Sequence, residues 1–123
     1  MNKKILLVED DEMIRELYSN EFIQAGFDVS SCSTGEKGLE LLEDNQYDIM
    51  LLDIMIPGLN GLEVLKAIRK NHKTKDLKVA LLTNLGSEKV ITQGFELGAV
   101  GYLIKSSYNP DQLVQEVRKL IEA

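Results

Sequence analysis

The chain has one cysteine and one histidine among its 123 residues, and no tryptophan. A lone thiol, Cys32, allows neither an internal disulfide nor a cysteine zinc site, and it is expected to be a small buried side chain near a strand end. No apolar run approaches the roughly 20 residues that a bilayer-crossing helix needs. Met1-Asn2-Lys3-Lys4 leads straight into an apolar run with no small-residue cleavage site, so a cytoplasmic protein without membrane insertion is expected. Positive charge is also scarce. Fourteen Lys and Arg against 20 Asp and Glu leave a net charge of −6, which disfavours direct binding to nucleic acid. Phosphate-cradling glycine motifs of the G-x-G-x-x-G or Walker type are absent, and Glu9-Asp10-Asp11-Glu12 would repel a nucleotide or flavin phosphate. His72 lies in a polar stretch and is not expected to be a ligand or phosphocarrier. The surrounding cations, Lys66, Arg69, Lys70, Lys73, Lys75 and Lys78, are expected to form a solvated surface.

What remains is an ordinary globular composition, 44% hydrophobic and 28% charged, in a chain long enough for one core. Short apolar runs at 4–8, 28–32, 48–52, 78–83 and 101–104 read as strands. Between and after them, helical spacing predicts helices near 11–25, 35–44, 60–71, 87–97 and 110–122. The first turns Ile14, Leu17, Tyr18, Phe22 and Ala25 inward, with Asp10 or Asp11 as cap and Gly26 as stop. The second buries Leu39, Leu41 and Leu42, and the third Leu62, Leu65 and Ile68. The fourth opens at Ser87-Glu88, presents Val90, Ile91, Gly94 and Leu97, and closes at Gly98. Asn109-Pro110-Asp111 opens the last with a cap, an N1 proline and an acid in the first turn. Helical crossovers require parallel strands and right-handed connections. Five βα units therefore predict a three-layer α/β/α sandwich, with no linker or repeat and no output domain expected.

The chemistry sits at the strand ends. The run Lys4–Val8 leads into Glu9-Asp10-Asp11, and the run 48–52 into Asp53. Parallel strands present their carboxyl ends to one edge, where open α/β sheets place their sites. Neighbouring carboxylates there repel and resist ionising, a conflict that a hard divalent cation such as Mg²⁺ removes. The fourth strand ends at Thr83 and the fifth runs into Lys105, adding a hydroxyl and an ammonium. That inventory suits phosphoryl transfer, in which protein groups position and neutralise charge, with an aspartate able to act as the nucleophile. Each piece alone has a plainer account. The acidic run could only cap the first helix, Lys105 lie on the surface, Thr83 be an ordinary strand residue and Tyr102 pack.

Taken together, Val8-Glu9-Asp10-Asp11, Asp53-Ile54-Met55-Ile56-Pro57-Gly58 with Gly61, Thr83 and Tyr102-Leu103-Ile104-Lys105 resemble the receiver domain of two-component response regulators over essentially the whole chain, in the single-domain, chemotaxis-regulator-like form. The resemblance implies a flavodoxin-like sandwich with strand order 2-1-3-4-5. It implies that Asp53 accepts a phosphoryl group from a phosphohistidine on a sensor histidine kinase or histidine phosphotransfer protein. Mg²⁺ would be held by Glu9, Asp10, Asp53 and the Met55 backbone carbonyl. Thr83 and Lys105 would bind phosphoryl oxygens, and Tyr102 would act with Thr83 as the switch pair. The protein would then be a phosphoacceptor that catalyses its own phosphorylation and dephosphorylation, not a turnover enzyme, and would signal to a downstream protein target.

Six residues depart from the family pattern or bear on its chemistry. Ser106 replaces the proline that usually follows the lysine, predicting either a trans bond in a reshaped loop or a strained cis bond. Asn84 stands where a small residue is common. Met55 and Leu85 flank the path of hydrolytic water and cannot orient it, which predicts slow self-dephosphorylation. Val100-Gly101 replaces an acidic pair, so the charged dimer used by many DNA-binding relatives is not expected. Ser106 and Asn84 leave one alternative, a pseudo-receiver that binds a protein partner independently of phosphate. A phosphohydrolase would want a second acid two residues after the nucleophile, and Met55 is not one.

Overall fold

The computed structural model describes residues 2–56, 58–84 and 88–123. Pro57, Leu85 and Ser87, which entered the expectations above, lie outside them. Five strands, β1 (Lys4–Val8), β2 (Asp28–Cys32), β3 (Ile49–Asp53), β4 (Val79–Thr83) and β5 (Gly101–Ile104), alternate with α1 (Glu12–Gln24), α2 (Gly35–Asp44), α3 (Gly61–Lys70), α4 (Glu88–Glu96) and α5 (Pro110–Glu122). All strand pairs are parallel, in the order β2-β1-β3-β4-β5. The expected architecture is therefore present.

Strand alternation splits the core in two. Leu6, Val8, Met50, Leu52, Val79 and Leu81 face one layer, where Leu42 of α2 and Val64, Leu65 and Ile68 of α3 cover them. Ile5, Leu7, Ile49, Leu51, Ala80 and Leu82 face the other, against Tyr18 and Phe22 of α1 and Leu113, Val114 and Val117 of α5. Burial on both faces explains why the central strands read as unbroken apolar runs.

Capping sets the helix starts. The side chains of Asp11, Thr34, Asn60 and Asn109 each accept a backbone N–H in the first turn, and Asn60 and Asn109 form full capping boxes with Glu63 and Gln112. The observed bounds of α2 and α5 match the expected ones, and α1 and α3 are one residue shorter at each end, with the cap residues Asp11 and Asn60 standing outside the helix. Asp48 likewise stays out of β3, and its carboxylate accepts the Lys4 N–H at 2.7 Å. Leu17 is a correction, being 48% exposed rather than buried. In α3, Val64 is buried alongside Leu65 and Ile68, whereas Leu62 is only partly covered. Cys32 is buried, as expected.

The basic stretch is corrected at two positions. Arg69 donates to the carbonyls of Leu97, Gly98, Lys75 and Leu77 at 2.7–3.0 Å, tying the end of α4 to the loop before β4. Lys78 Nζ donates to the carbonyls of Leu120, Ile121 and Ala123, closing the end of α5, where cations complement the helix dipole. Both satisfy carbonyls left over at helix ends and in loops. Periodicity alone gave no sign of these partners.

Gly61 sets the β3–α3 junction. A Cβ there would stand 2.7 Å from both the Asp53 carbonyl oxygen and the Ile54 Cα. Only glycine lets α3 start this close to the end of β3, and the Gly61 N–H bonds the Ile54 carbonyl at 3.0 Å.

Candidate phosphoacceptor and metal site

The register of the sheet delivers the site. Val8 of β1 pairs with Leu52 of β3, so Glu9 and Asp53 leave the edge side by side. Asp53 pairs with Leu82, and Thr83 with Ile104, so Thr83 and Lys105 each stand one residue further along. Lys105 must reach back over β4 to β3, two strand spacings or about 9.5 Å, which a long side chain can do and a short one cannot. Its ammonium contacts Glu9 Oε1 and lies 2.8 Å from Asp53 Oδ2. Asp53 Oδ1 accepts the Met55 N–H at 3.0 Å, and Glu9 Oε2 accepts the Asp11 N–H at 3.1 Å.

A cleft of about 370 Å³ opens over these groups, and Asp10, Ile14, Met55, Thr83 and Asn84 complete its lining. Glu9, Asp53 and Thr83 are buried beneath it, whereas Asp10 is exposed and Met55 is 76% exposed. The sequence-expected residues are thus brought together. The exception is Tyr102, which belongs to the α3–α4 side of the core. Its ring is half-buried, and its hydroxyl is enclosed with no hydrogen-bond partner among the described residues; burial pushes that phenol up. Lys105–Ser107 form a single 3₁₀ turn. Cis peptides are absent among the described residues, so of the two geometries expected at Ser106 the trans bond in a reshaped loop is the one present. Sequence reasoning missed Arg15, whose guanidinium bonds main-chain carbonyls behind the acidic run. Its partners are main-chain oxygens, to which residue spacing does not point.

One carboxylate oxygen each from Glu9, Asp10 and Asp53 lie within 4.8 Å of one another. An all-oxygen, carboxylate-rich set fits a hard divalent cation. Burial pushes the Glu9 carboxyl up to about 7, Asp53 adds to the rise, and Lys105 and the Asp11 N–H oppose it. Lys105 responds in kind. Burial alone would lower it, but hydrogen bonds and charge from Asp53 and Glu9 hold it above its ordinary value. A carboxyl raised when folded binds protons more readily in the native chain. Its contribution to stability is therefore full below pH 4.5 and is lost as pH rises to about 7. Carbon-13 NMR of the metal-free protein is expected to show Glu9 titrating near 7, and added Mg²⁺ is expected to move that midpoint down. An unmoved midpoint would detach Glu9 from the cation.

The response regulator receiver domain model matches residues 5–118. The transcriptional regulatory protein CpxR of Escherichia coli is 42% identical over 118 residues, covering 96% of this chain and 49% of that protein. The DNA-binding dual master transcriptional regulator RpaA of Synechocystis is 36% identical over 118 residues, covering 96% and 48%. The chain thus spans about half the length of the curated relatives it matches. Among solved structures, the chemotaxis response regulator CheY4 of Vibrio cholerae superposes with a TM-score of 0.90 at 28% identity, covering 98% of this chain and 99% of that one. The BeF3-activated receiver domain of DrrB gives 0.84 at 31% identity over the full length of both. The fold is that of the CheY-like, flavodoxin-like group, and the chain belongs to the receiver domain family of two-component response regulators, signalling switches rather than turnover enzymes.

Proposed function

We propose that this chain is a phosphorylation-activated switch that takes a phosphoryl group onto Asp53 from a phosphohistidine on a sensor kinase or phosphotransfer protein, in a two-component or phosphorelay system. The observation that carries this reading is Lys105 reaching across β4 to Asp53, beside the carboxylate cluster of Glu9, Asp10 and Asp53. A carboxylate oxygen of Asp53 attacks phosphorus, the new P–O bond replaces the bond to the donor nitrogen, and the departing imidazole keeps that electron pair. Glu9, Asp10, Asp53 and the Met55 carbonyl would hold Mg²⁺, which supplies charge neutralisation for the transferring group when bound. Lys105 donates to a phosphoryl oxygen in place of its present bond to Asp53, and the Thr83 hydroxyl donates to another. That exchange alters the partners of β4 and β5 at their ends, and Tyr102, one strand position before Leu103, turns with them. Binding of a downstream protein target reads out the change. A cytoplasmic location goes with this reading.

The test is intact mass spectrometry after incubation with acetyl phosphate, with Mg²⁺ or with EDTA. One phosphoryl group is expected with Mg²⁺ and none with EDTA. A folded protein that gains none in either condition would instead be a phosphate-independent binding module. The phosphoryl group is also expected to be long-lived, because the exposed Met55 side chain over the cleft has no group to orient a water. Met55→Asn should shorten the decay of the isolated phosphoprotein several-fold, and an unchanged half-life would remove Met55 from the account.

A further inference from the structure

We infer that Arg15 is a positioning residue for the cation site, bracing from behind the loop that carries Glu9 and Asp10. This rests on the reading of Glu9, Asp10 and Asp53 as metal-binding. Arg15 lies on the second turn of α1, half-buried. Glu12 and Glu16 are its neighbours in sequence, and Asp10 and Asp11 precede it closely. Yet among the described residues its guanidinium forms no ion pair with any carboxylate. It donates instead to two successive main-chain carbonyls, Glu9 O at 2.8 Å and Asp10 O at 3.4 Å.

The same loop is fixed elsewhere. The Glu9 N–H bonds the Cys32 carbonyl at 3.0 Å, the Asp11 N–H bonds Glu9 Oε2, and the Asp11 carboxylate caps α1 through the Ile14 N–H at 3.0 Å. Arg15 supplies the remaining tie. Its Nη1 holds both carbonyls back, so that the side chains of Glu9 and Asp10 lie on the cleft side. Both bonds leave from the one nitrogen Nη1, which the planar guanidinium fixes in direction, whereas a lysine ammonium ends one bond closer to the backbone on a flexible stem and falls short of that pair. Partners that orient metal ligands commonly matter about 10–100-fold in affinity.

Arg15 also carries charge, and charge and bracing predict opposite results. As a positive charge near a cation site, it should weaken binding, so Arg15→Ala should tighten Mg²⁺ and Arg15→Lys should leave it alone. As a brace, its loss should weaken Mg²⁺ about tenfold in Arg15→Ala, and Arg15→Lys should recover only part of that. The experiment is a Mg²⁺ titration of wild type and both variants followed by backbone amide NMR shifts, with thermal midpoints in EDTA as the fold control. Weaker binding in both variants, at midpoints near wild type, supports the brace. Equal or tighter binding in Arg15→Ala overturns it. A wild type with no Mg²⁺-dependent shifts at the cleft would overturn the metal reading itself, and the brace with it. If Arg15→Ala fails to fold, Arg15→Lys decides, since full retention of affinity there overturns the brace.

Discussion

Asp53→Asn should gain no phosphoryl group from acetyl phosphate under conditions where the wild-type chain gains one. Shape is preserved in this variant, but chemistry is not. The Asp53 carboxylate is fixed at both oxygens, by the Met55 N–H at 3.0 Å and by Lys105 at 2.8 Å. Both neighbours are donors. An amide offers one oxygen to accept and points its own donor at the other, so one of these contacts becomes a clash of donors. The amide is also a poor nucleophile, and it removes one negative charge from the cluster expected to hold Mg²⁺. Weaker cation binding is therefore expected together with the lost uptake. The measurement is intact mass with wild type and variant side by side. A phosphoryl group on Asp53→Asn would move the acceptor to Glu9 or Asp10 and end the present assignment.

Lys105→Met should have the second largest effect, and in two directions at once. Without the ammonium, the transferring phosphoryl group loses a donor in a partly enclosed cleft, and capture should slow by about 100-fold. Cation binding should tighten, because Lys105 now occupies the oxygens of Glu9 and Asp53 that Mg²⁺ would neutralise. Stability should also become more pH-dependent. Two buried carboxylates left facing each other cannot both ionise cheaply, so Glu9 should titrate above its present value of about 7. In metal-free protein, the unfolding midpoint should then fall as pH rises from about 4.5 toward that higher value, more steeply than in wild type. Saturating Mg²⁺ should restore the loss, since a ligand bound only by the native state stabilises it. Mass-spectrometric time courses and Mg²⁺ titrations check the two halves separately. Unchanged capture would leave Lys105 a structural counter-ion only.

The fold was legible because nearly every signal agreed. Buried strands appeared as apolar runs, caps stood where helices begin, and Gly26 and Gly98 followed the helices that they end. The candidate site was legible for a related reason. Strand ends in a parallel sheet share an edge, so Glu9, Asp53, Thr83 and Lys105 could be placed together before any distance was known. What escaped notice was carried by backbone carbonyls. Arg15, Arg69 and Lys78 all bond main-chain oxygens, and such partners leave no mark in the sequence pattern. Leu17 failed for a different reason, because a helix covering one side of a sheet has an apolar stripe narrower than its apolar content.

The Arg69 clamp has a consequence for how this sequence tolerates insertions and deletions. Side chains along a strand alternate faces, so sliding β5 by one residue against β4 would turn Lys105 away from Asp53. The start of β5 is indexed at the opposite edge of the sheet, where Arg69 grips the Leu97 and Gly98 carbonyls and the Val100 N–H bonds Val79. Residue counting between α4 and β5 is thereby enforced by a side chain far from the cleft. One added or lost residue there would disarm the acceptor as surely as removing the lysine, while every residue of the cleft remained in the sequence.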